Sequence, residues 1–346
     1  MAVVKADGYG HGLVPSARAA LAGGASWLGV AQLDEATSLR AAGLSTPILA
    51  WLWAPDEADA VGRALRADVD VSVSSAWALE TVLTQVRQSG VVAAIHLKID
   101  TGLSRNGAYV RDWPALVGAA ATAQAAGEVR VVGIWSHFVY ADAPGHPTIG
   151  RQLDAFRAAV AVAAGAGVTP RYRHMANSAA TLTLPEAHFD LVRPGIAMYG
   201  LNPVPDMPWP GLRPAMSLRS HVALAKHVDA GEGVSYGHLY TTAGASTLAL
   251  VPLGYADGIP RNATNVGPVQ VAGRRAVVSG RVCMDQFVVD VGSANVSAGD
   301  EVVLFGAGAG GEPTAQDWAD ATGTIHYEIV SRIGARVPRS YVGQVS

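Results

Sequence analysis

The chain has 346 residues, half of them hydrophobic, which supplies cores for about two domains and excludes general disorder. Its 25 Lys and Arg residues against 28 Asp and Glu residues give a net charge of −3, so no nucleic-acid partner is expected. The single cysteine, Cys283, excludes an intramolecular disulfide and a cysteine-based zinc cluster. No apolar run reaches the ~18 residues of a membrane span, and the opening residues lack a secretion signal. We therefore expect a cytoplasmic protein without a membrane partner.

Residues 1–195 alternate between short apolar runs and Ala-rich stretches with helical spacing. The runs predict eight strands, at 2–5, 27–31, 48–52, 68–73, 94–99, 131–137, 171–175 and 189–193. Helices are predicted at 33–43, 56–67, 75–89, 113–126 and 148–165. Strands that are apolar on both faces and joined by helices are typical of a parallel sheet. Eight of them predict an α/β fold with a (β/α)8 barrel over residues 1–212, rather than an open dinucleotide-binding sheet.

The pattern changes after the predicted eighth strand. The sequence Asn202-Pro203-Val204-Pro205, followed by Pro208-Trp209-Pro210, forms a poor helix, so the helix covering that sector is expected to come from elsewhere. Residues 203–214 are the predicted linker. Beyond it, short alternating runs at 216–227, 246–253, 268–271, 274–279, 285–291 and 300–305 predict a mostly antiparallel β domain over residues 213–346.

Polar side chains gather where the predicted barrel strands end, which is where barrel enzymes carry their chemistry. Each one alone is more often a solvated cation or a packed histidine, but together they favour a site. They are Lys5 after strand one, Lys98 and Asp100 after strand five with Arg105 just beyond, His137 after strand six, Asn177 and Ser178 after strand seven, and Arg193 after strand eight.

The loops after strands seven and eight favour a phosphorylated cofactor. The segment Arg193-Pro194-Gly195-Ile196 is expected beside Ser178, at the usual phosphate site of such barrels. A phosphate site facing a lysine suggests pyridoxal 5′-phosphate, whose aldehyde reacts with a neutral amine such as that of Lys5. The segment 306–311 matches the G-x-G-x-x-G pattern, but its late position in an antiparallel domain favours a β turn. No metal site is expected, because no His pair has helical ligand spacing with supporting acids.

Several segments together resemble the bacterial alanine racemases, a family of fold-type III pyridoxal-phosphate enzymes. The lysine motif is AVVKADGYGHG at residues 2–12, and the other matching barrel segments are 97–102, 136–138, 176–180 and 193–200. In the second domain the matching segments are 234–237, 253–258, 281–286 and 327–329. The resemblance covers essentially the whole chain.

The resemblance implies a barrel with a C-terminal β domain, acting as a head-to-tail homodimer whose two active sites are shared. The implied reaction interconverts L-alanine and D-alanine by a two-base mechanism and supplies D-alanine for peptidoglycan. Lys5 would bind the cofactor covalently and act as one base, and the partner subunit's Tyr236 would be the other base. The leading segment that family chains usually carry before the lysine motif is missing here, so we expect the natural start to lie upstream.

The remaining roles are also implied by the resemblance alone. The cofactor phosphate would be held by Tyr9, Ser178, Gly195, Ile196 and Tyr327, with Asn177 beside them. Arg193 would face the pyridine nitrogen, His137 would link Arg193 to Tyr236, and Arg105 would support the cofactor phenolate. Substrate-binding residues would be Arg105, Met284, Asp285 and Tyr255, with Asp142 and Arg261 at the entrance. Lys98 matches a lysine that is carbamylated in some members.

These residue types suit racemisation, which removes a proton from one face of a carbon and returns one to the other. An ordinary tyrosine has a pKa of about 10, so a tyrosine base needs a nearby positive charge, which Arg193 would supply through His137. A guanidinium also leaves the pyridine nitrogen unprotonated, which weakens the electron sink and disfavours transamination.

Three alternatives stay open on the residues alone. A non-catalytic pyridoxal-phosphate module would need neither Tyr236 nor the β domain. An amino-acid decarboxylase would place an acid, not Arg193, at the pyridine nitrogen. A racemase for another small amino acid such as serine differs only in its pocket. In addition, Tyr236 and Tyr327 have an alternative interpretation as ordinary structural aromatics, and Met284 as a core residue.

Overall fold

The computed structural model describes residues 1–204, 207 and 211–343. Part of the predicted linker, including Pro205, Pro208, Trp209 and Pro210, lies outside the described residues. The predicted domain boundary at residue 212 adjoins this segment and stays a prediction.

Seven strands form one parallel sheet in which each strand pairs with the next along the chain. Nearly all of their residues are buried, as expected for strands that are covered on both faces. The strands are β1 (Ala2–Val3), β2 (Leu28–Val30), β3 (Ile48–Ala50), β4 (Asp70–Val73), β5 (Ala93–Lys98), β6 (Val129–Trp135) and β7 (Tyr172–His174).

Helices connect these strands on the outside of the curled sheet. They are α1 (Lys5–Tyr9), α2 (Leu13–Ala22), α3 (Leu33–Ala41), α4 (Ala58–Arg66), α5 (Ala76–Ser89), α6 (Trp113–Ala125), α7 (Pro147–Gly165) and α8 (Ser178–Thr183). Helix α5 shows why such segments form. The Ser75 hydroxyl accepts the Ala78 N–H at its start, and Gly90 ends it in a left-handed conformation. Its inward stripe is Leu79, Val82, Leu83 and Val86, at helical spacing.

The prediction of an eighth strand at residues 189–193 is wrong. Residues 189–190 form a turn and residues 191–195 have no regular strand structure. The segment nevertheless spans the gap between β7 and β1, because the Arg193 N–H donates to the Ala176 carbonyl at 2.9 Å and the Val3 N–H donates to the Pro194 carbonyl at 3.0 Å. Pro194 has no N–H to donate, which interrupts a regular ladder at this position. A short 3-10 turn, Ile196–Tyr199, follows in place of a covering helix.

The second part of the chain is built from antiparallel strands in three small sheets. The strands are β8 (Leu218–His221), β9 (Leu224–Val228), β10 (Gly233–Val234), β11 (Tyr240–Thr241), β12 (Ser246–Val251), β13 (Pro268–Val271), β14 (Arg274–Val277), β15 (Phe287–Asp290) and β16 (Glu301–Phe305). The run predicted at 216–227 is divided, because β8 pairs with β16 whereas β9 pairs with β12. Two helices, α9 (Ala315–Thr322) and α10 (His326–Ser331), complete this part.

The glycine-rich segment 306–311 is a loop after β16, as the antiparallel context predicts. The Glu312 carboxylate accepts the N–H groups of Gly308 and Gly310, both at 2.8 Å, so the loop is folded onto a side chain of its own. Among the described residues, no helix is long and apolar enough to cross a membrane, and no His, Cys, Asp and Glu group could hold a metal ion.

Candidate active site at the barrel mouth

The segment that carries Lys5 has an unusual backbone. Within α1, Ala6, Asp7 and Gly8 have φ values of 54°, 53° and 62°, all in the left-handed region. The Ala6 N–H donates to the Glu35 carboxylate at 2.6 Å, and the Leu13 N–H donates to the Asp7 carboxylate at 2.7 Å. Left-handed conformations cost non-glycine residues free energy and persist where surrounding contacts enforce them, often at functional sites.

Five cationic or imidazole side chains lie near one another at the mouth, and we call them the barrel-mouth cluster: Lys5, Lys98, Arg105, His137 and Arg193. Lys98 and Arg193 are each only 4% exposed. Burial and the Arg105 charge lower the pKa of the Lys5 amine. Burial and the charges of Arg193 and Arg105 lower the pKa of Lys98 to about 7 and that of His137 well below its usual value. Such a site favours neutral amines and the binding of an anion.

Arg193 is fixed by contacts from β6, from β7 and from the residues just after β6. Its Nη2 donates to the Ser136 carbonyl at 2.8 Å and lies 3.3 Å from His137 Nδ1, and its Nη1 lies 3.1 Å from His174 Nδ1. The guanidinium stacks over Trp135 at 4.8 Å. Burial lowers the pKa of Arg193 to about 9, which leaves it charged at neutral pH. Its Nε–H has no acceptor among the described residues.

A second group of residues forms a cradle beside α8. The Ser178 hydroxyl accepts the N–H groups of Gly195 at 2.7 Å and Ala197 at 3.3 Å. A Cβ at position 195 would overlap the Tyr9 hydroxyl, so only glycine allows this approach. Asn177 lies alongside and caps α8, because its side-chain oxygen accepts the Ala180 N–H at 3.0 Å.

Aromatic side chains close the cradle from the direction of the second domain. The ring of Tyr9 packs against Tyr199 at 5.0 Å and against Tyr327 at 6.3 Å, and Ile196 is fully buried beneath the cradle. Burial raises the pKa of Tyr9, and burial together with the Asp142 charge raises the pKa of Tyr327 to about 12. Both hydroxyls therefore keep their protons and can donate hydrogen bonds.

The site residues predicted in the β domain lie elsewhere on the protomer. Tyr236 is 71% exposed and Met284 is 53% exposed, and Tyr255 lies beside Met284, since the Tyr255 N–H donates to the Cys283 carbonyl at 3.0 Å. The Asp285 carboxylate accepts from Arg336 at 2.8 Å. Among the described residues, no hydrogen bond or ion pair joins these side chains, or the exposed Arg261, to the barrel-mouth cluster.

Some residues around Arg193 were missed by the sequence reasoning, namely Asp70, His96, Trp135 and His174. One signal existed for His96, because it lies two residues before Lys98 on a predicted strand and so faces the same side. Nothing in the sequence indicates that Asp70 comes within reach of it.

Comparisons with known proteins agree with this geometry. A family model described as the N-terminal domain of alanine racemase matches residues 1–203, and one described as the C-terminal domain matches residues 215–341. The alanine racemase of Frankia casuarinae is 61% identical over 345 residues, covering 99% of this chain and 89% of that protein. That of Thermobifida fusca is 57% identical over 345 residues, covering 100% of this chain and 92% of that protein.

Solved structures give the same result. The alanine racemase from a D-cycloserine-producing Streptomyces lavendulae superposes with a TM-score of 0.97 at 58% identity, covering 100% of this chain and 91% of that one. The alanine racemase from E. faecalis gives a TM-score of 0.89 at 37% identity, covering 99% of this chain and 90% of that one. The chain therefore belongs to the alanine racemase family, a family of isomerases.

Proposed function

We propose that the chain interconverts L-alanine and D-alanine with pyridoxal 5′-phosphate, in a homodimer whose sites combine Lys5 with the partner subunit's Tyr236. The reaction would supply D-alanine for peptidoglycan. The observation that carries the proposal is that Lys5, whose pKa is lowered, lies at the same barrel mouth as the cradle formed by the Ser178 hydroxyl and Gly195.

The residues present fit this cofactor. A phosphate needs several donors and close backbone approach, which the hydroxyls of Ser178, Tyr9 and Tyr327 and the Ile196 N–H offer. The Gly195 N–H, which donates to Ser178 in this structure, would become a further donor if it changed its acceptor. The positive charge of the barrel-mouth cluster suits a phosphate and a carboxylate. When bound, the cofactor supplies an electron sink for the charge that develops at the substrate α-carbon.

Arg193 and Arg105 would hold the cofactor ring on two sides. The free Nε–H of Arg193 can donate to a ring nitrogen, and a guanidinium cannot give its proton away at neutral pH. Arg105 is exposed at the mouth, and its charge acts on Lys5, Lys98 and His137, which supports a role for it in binding a ring oxygen and the substrate carboxylate.

Two groups would move protons on opposite faces of the substrate. The lowered pKa of Lys5 raises the neutral fraction of its amine, which is the form that can accept a proton. Tyr236 is exposed on its protomer and available to a neighbouring subunit, where His137 and Arg193 would stabilise its phenolate.

The β domain would complete the substrate site. The Met284 N–H has no acceptor among the described residues and can donate to a substrate carboxylate. Tyr255 and Asp285 are exposed on adjoining segments of the chain. We propose that they line the entrance to the substrate site together with Asp142 and Arg261. The lowered pKa of Lys98 favours the neutral amine that carbamylation requires, and a carbamate there would face Arg105.

The proposal is tested with purified protein, pyridoxal 5′-phosphate and L-alanine. Circular dichroism should decay to zero as the substrate becomes racemic, and chiral chromatography should show D-alanine. Lys226→Ala, an exposed lysine on β9, is the control and should retain activity, whereas Lys5→Ala should lose it. Racemisation of L-serine without L-alanine would overturn the substrate assignment.

A further inference from the structure

A chain of hydrogen bonds crosses the barrel interior behind Arg193. Arg193 Nη1 lies 3.1 Å from His174 Nδ1, His174 Nε2 lies 2.9 Å from His96 Nδ1, and His96 Nε2 lies 3.1 Å from the Asp70 carboxylate. The two imidazoles are fully buried and Asp70 is 7% exposed. The chain therefore joins a buried cation to a buried carboxylate through two rings.

The chemistry of the two ends fixes the direction of every bond. A guanidinium only donates, so His174 must accept at Nδ1 and carry its proton at Nε2. That proton is donated to His96 Nδ1, so His96 also carries its proton at Nε2 and donates it to Asp70. Both rings are then neutral, and each of their nitrogens has a partner. Burial and the Arg193 charge lower the pKa of His174 well below its usual value, in agreement with a neutral ring.

The barrel is built to hold this arrangement. His96 pairs across the sheet with Gly133, and a Cβ at position 133 would overlap His96 Nδ1. Trp135 stacks on His174 with ring centroids 5.7 Å apart and planes 6° apart. Among the described residues of β1–β7, Asp70 is the buried carboxylate, and its charge also acts on the Arg40 guanidinium.

We propose that Asp70 is the counter-charge and positioning residue of Arg193, acting through a one-way relay of hydrogen bonds across His174 and His96. The inference rests on the proposed function, in which Arg193 faces the cofactor ring. The relay holds the guanidinium charged and immobile, and leaves its Nε–H free to donate to the cofactor ring. Without Asp70, the His96 proton has no acceptor and the tautomers of both rings are no longer fixed.

The first test reads the tautomers directly and needs no substrate. Heteronuclear NMR of the holoenzyme with isotope-labelled histidine, assigned with His96→Gln and His174→Gln, should show both rings neutral and protonated at Nε2. A charged His96, or a proton on Nδ1 of either ring, overturns the relay. Because this spectrum does not depend on turnover, an intact relay in a protein that fails to racemise alanine would overturn only the proposed function.

The second test removes the counter-charge. Asp70→Leu, of similar size, should abolish the protected ring N–H signals of His96 and His174. It should also lower kcat about ten- to a hundred-fold with the KM for alanine within about twofold, since the loss acts through a positioning side chain. Asp59→Leu, the same exchange at an exposed position of α4, is the control and should retain both N–H signals. Unchanged kcat in Asp70→Leu, or an equal loss of signals in Asp59→Leu, overturns the proposal.

Discussion

The cations at the barrel mouth differ in chemistry although they lie close together. A buried amine loses its proton far more readily than a guanidinium, because the guanidinium charge is delocalised. Burial and the charges of Arg193 and Arg105 lower the pKa of Lys98 to about 7, whereas burial lowers the pKa of Arg193 only to about 9, because a guanidinium starts from a higher value. The site thus combines a permanent positive charge at Arg193 with amines that can react as neutral bases or nucleophiles.

The permanent charge of Arg193 leads to a prediction about side reactions. Arg193→Glu would place an acid where the ring nitrogen is expected, protonate that nitrogen and strengthen the electron sink. The ratio of pyruvate formed by transamination to D-alanine formed by racemisation should rise. Arg173→Gln, an exposed change on β7, is the control. An unchanged ratio in Arg193→Glu would reject this electronic role.

The buried amine of Lys98 predicts a pH-dependent stability. An unfolded lysine has a pKa of about 10.4, so between about pH 7 and that value the unfolded state binds a proton that the folded state does not. Stability due to this group therefore rises with pH across that window, by up to about 1.4 kcal/mol per pH unit.

Lys98→Met should remove the rise of folding stability with pH that is due to this amine. Denaturant unfolding in bicarbonate-free buffer measures the free energy of unfolding at each pH. The value for the variant should exceed that of the parent most at neutral pH and least near pH 10. Lys226→Met, at an exposed position, should leave the slope unchanged. A parent and a Lys98→Met variant with the same pH dependence would contradict the buried, low-pKa amine.

Residues at strand ends could be predicted from the sequence, whereas partners across the barrel could not. Lys5, Lys98 and Arg193 could be predicted as site residues because each lies at the end of an apolar run. The fold brings the carboxyl ends of these runs together at the barrel mouth. The sequence gives strand order only as a hypothesis and gives no register between strands. The approach of Asp70 to His96 depends on that register, and therefore needed the structure.

At the scale of elements, the left-handed turn after β1 is the most unusual feature. Ala6 lies there with φ 54° and ψ 53°, a conformation that glycine adopts without steric cost. Ala6→Gly should therefore raise the free energy of unfolding, by up to about 1 kcal/mol. Ala19→Gly, in the exposed interior of α2, should lower it by about 1 kcal/mol. Denaturant titration checks both, and a loss of stability in Ala6→Gly would contradict enforced strain.

Elements with a clear apolar periodicity in the sequence were predicted well. Elements whose bounds depend on which strand they pair with were not. Strand β13 has the predicted bounds, because Gly267 precedes its apolar alternation and the turn at Ala272-Gly273 follows it. The segment 189–193 has a strand-like composition, but Pro194 and the turn at Phe189 prevent a regular ladder. The split between β8 and β9 follows from their two different partners, which composition does not specify.

At the scale of the whole molecule, the exposed Tyr236 leads to a prediction about assembly. In a shared site, Lys5 of one subunit works with the partner subunit's Tyr236. Lys5→Ala and Tyr236→Phe should each be inactive as homodimers. A mixed dimer of the two variants would contain one site with both residues intact, so random mixing should restore up to about a quarter of the parent activity.

Subunit mixing after mild dissociation, followed by the racemisation assay, measures this complementation. Mixing Lys5→Ala with Lys5→Arg is the matched control and should restore nothing. If the Lys5→Ala and Tyr236→Phe mixture also stays inactive while mixed dimers are detected by mass spectrometry, the shared-site arrangement is wrong.

The central claim, that Lys5 carries the cofactor, is tested most directly by reducing the holoenzyme with borohydride and mapping the labelled peptide. We expect a single stable pyridoxyl adduct on the peptide that contains Lys5. An adduct on Lys98 instead, or none on Lys5 in an enzyme that racemises alanine, would contradict it.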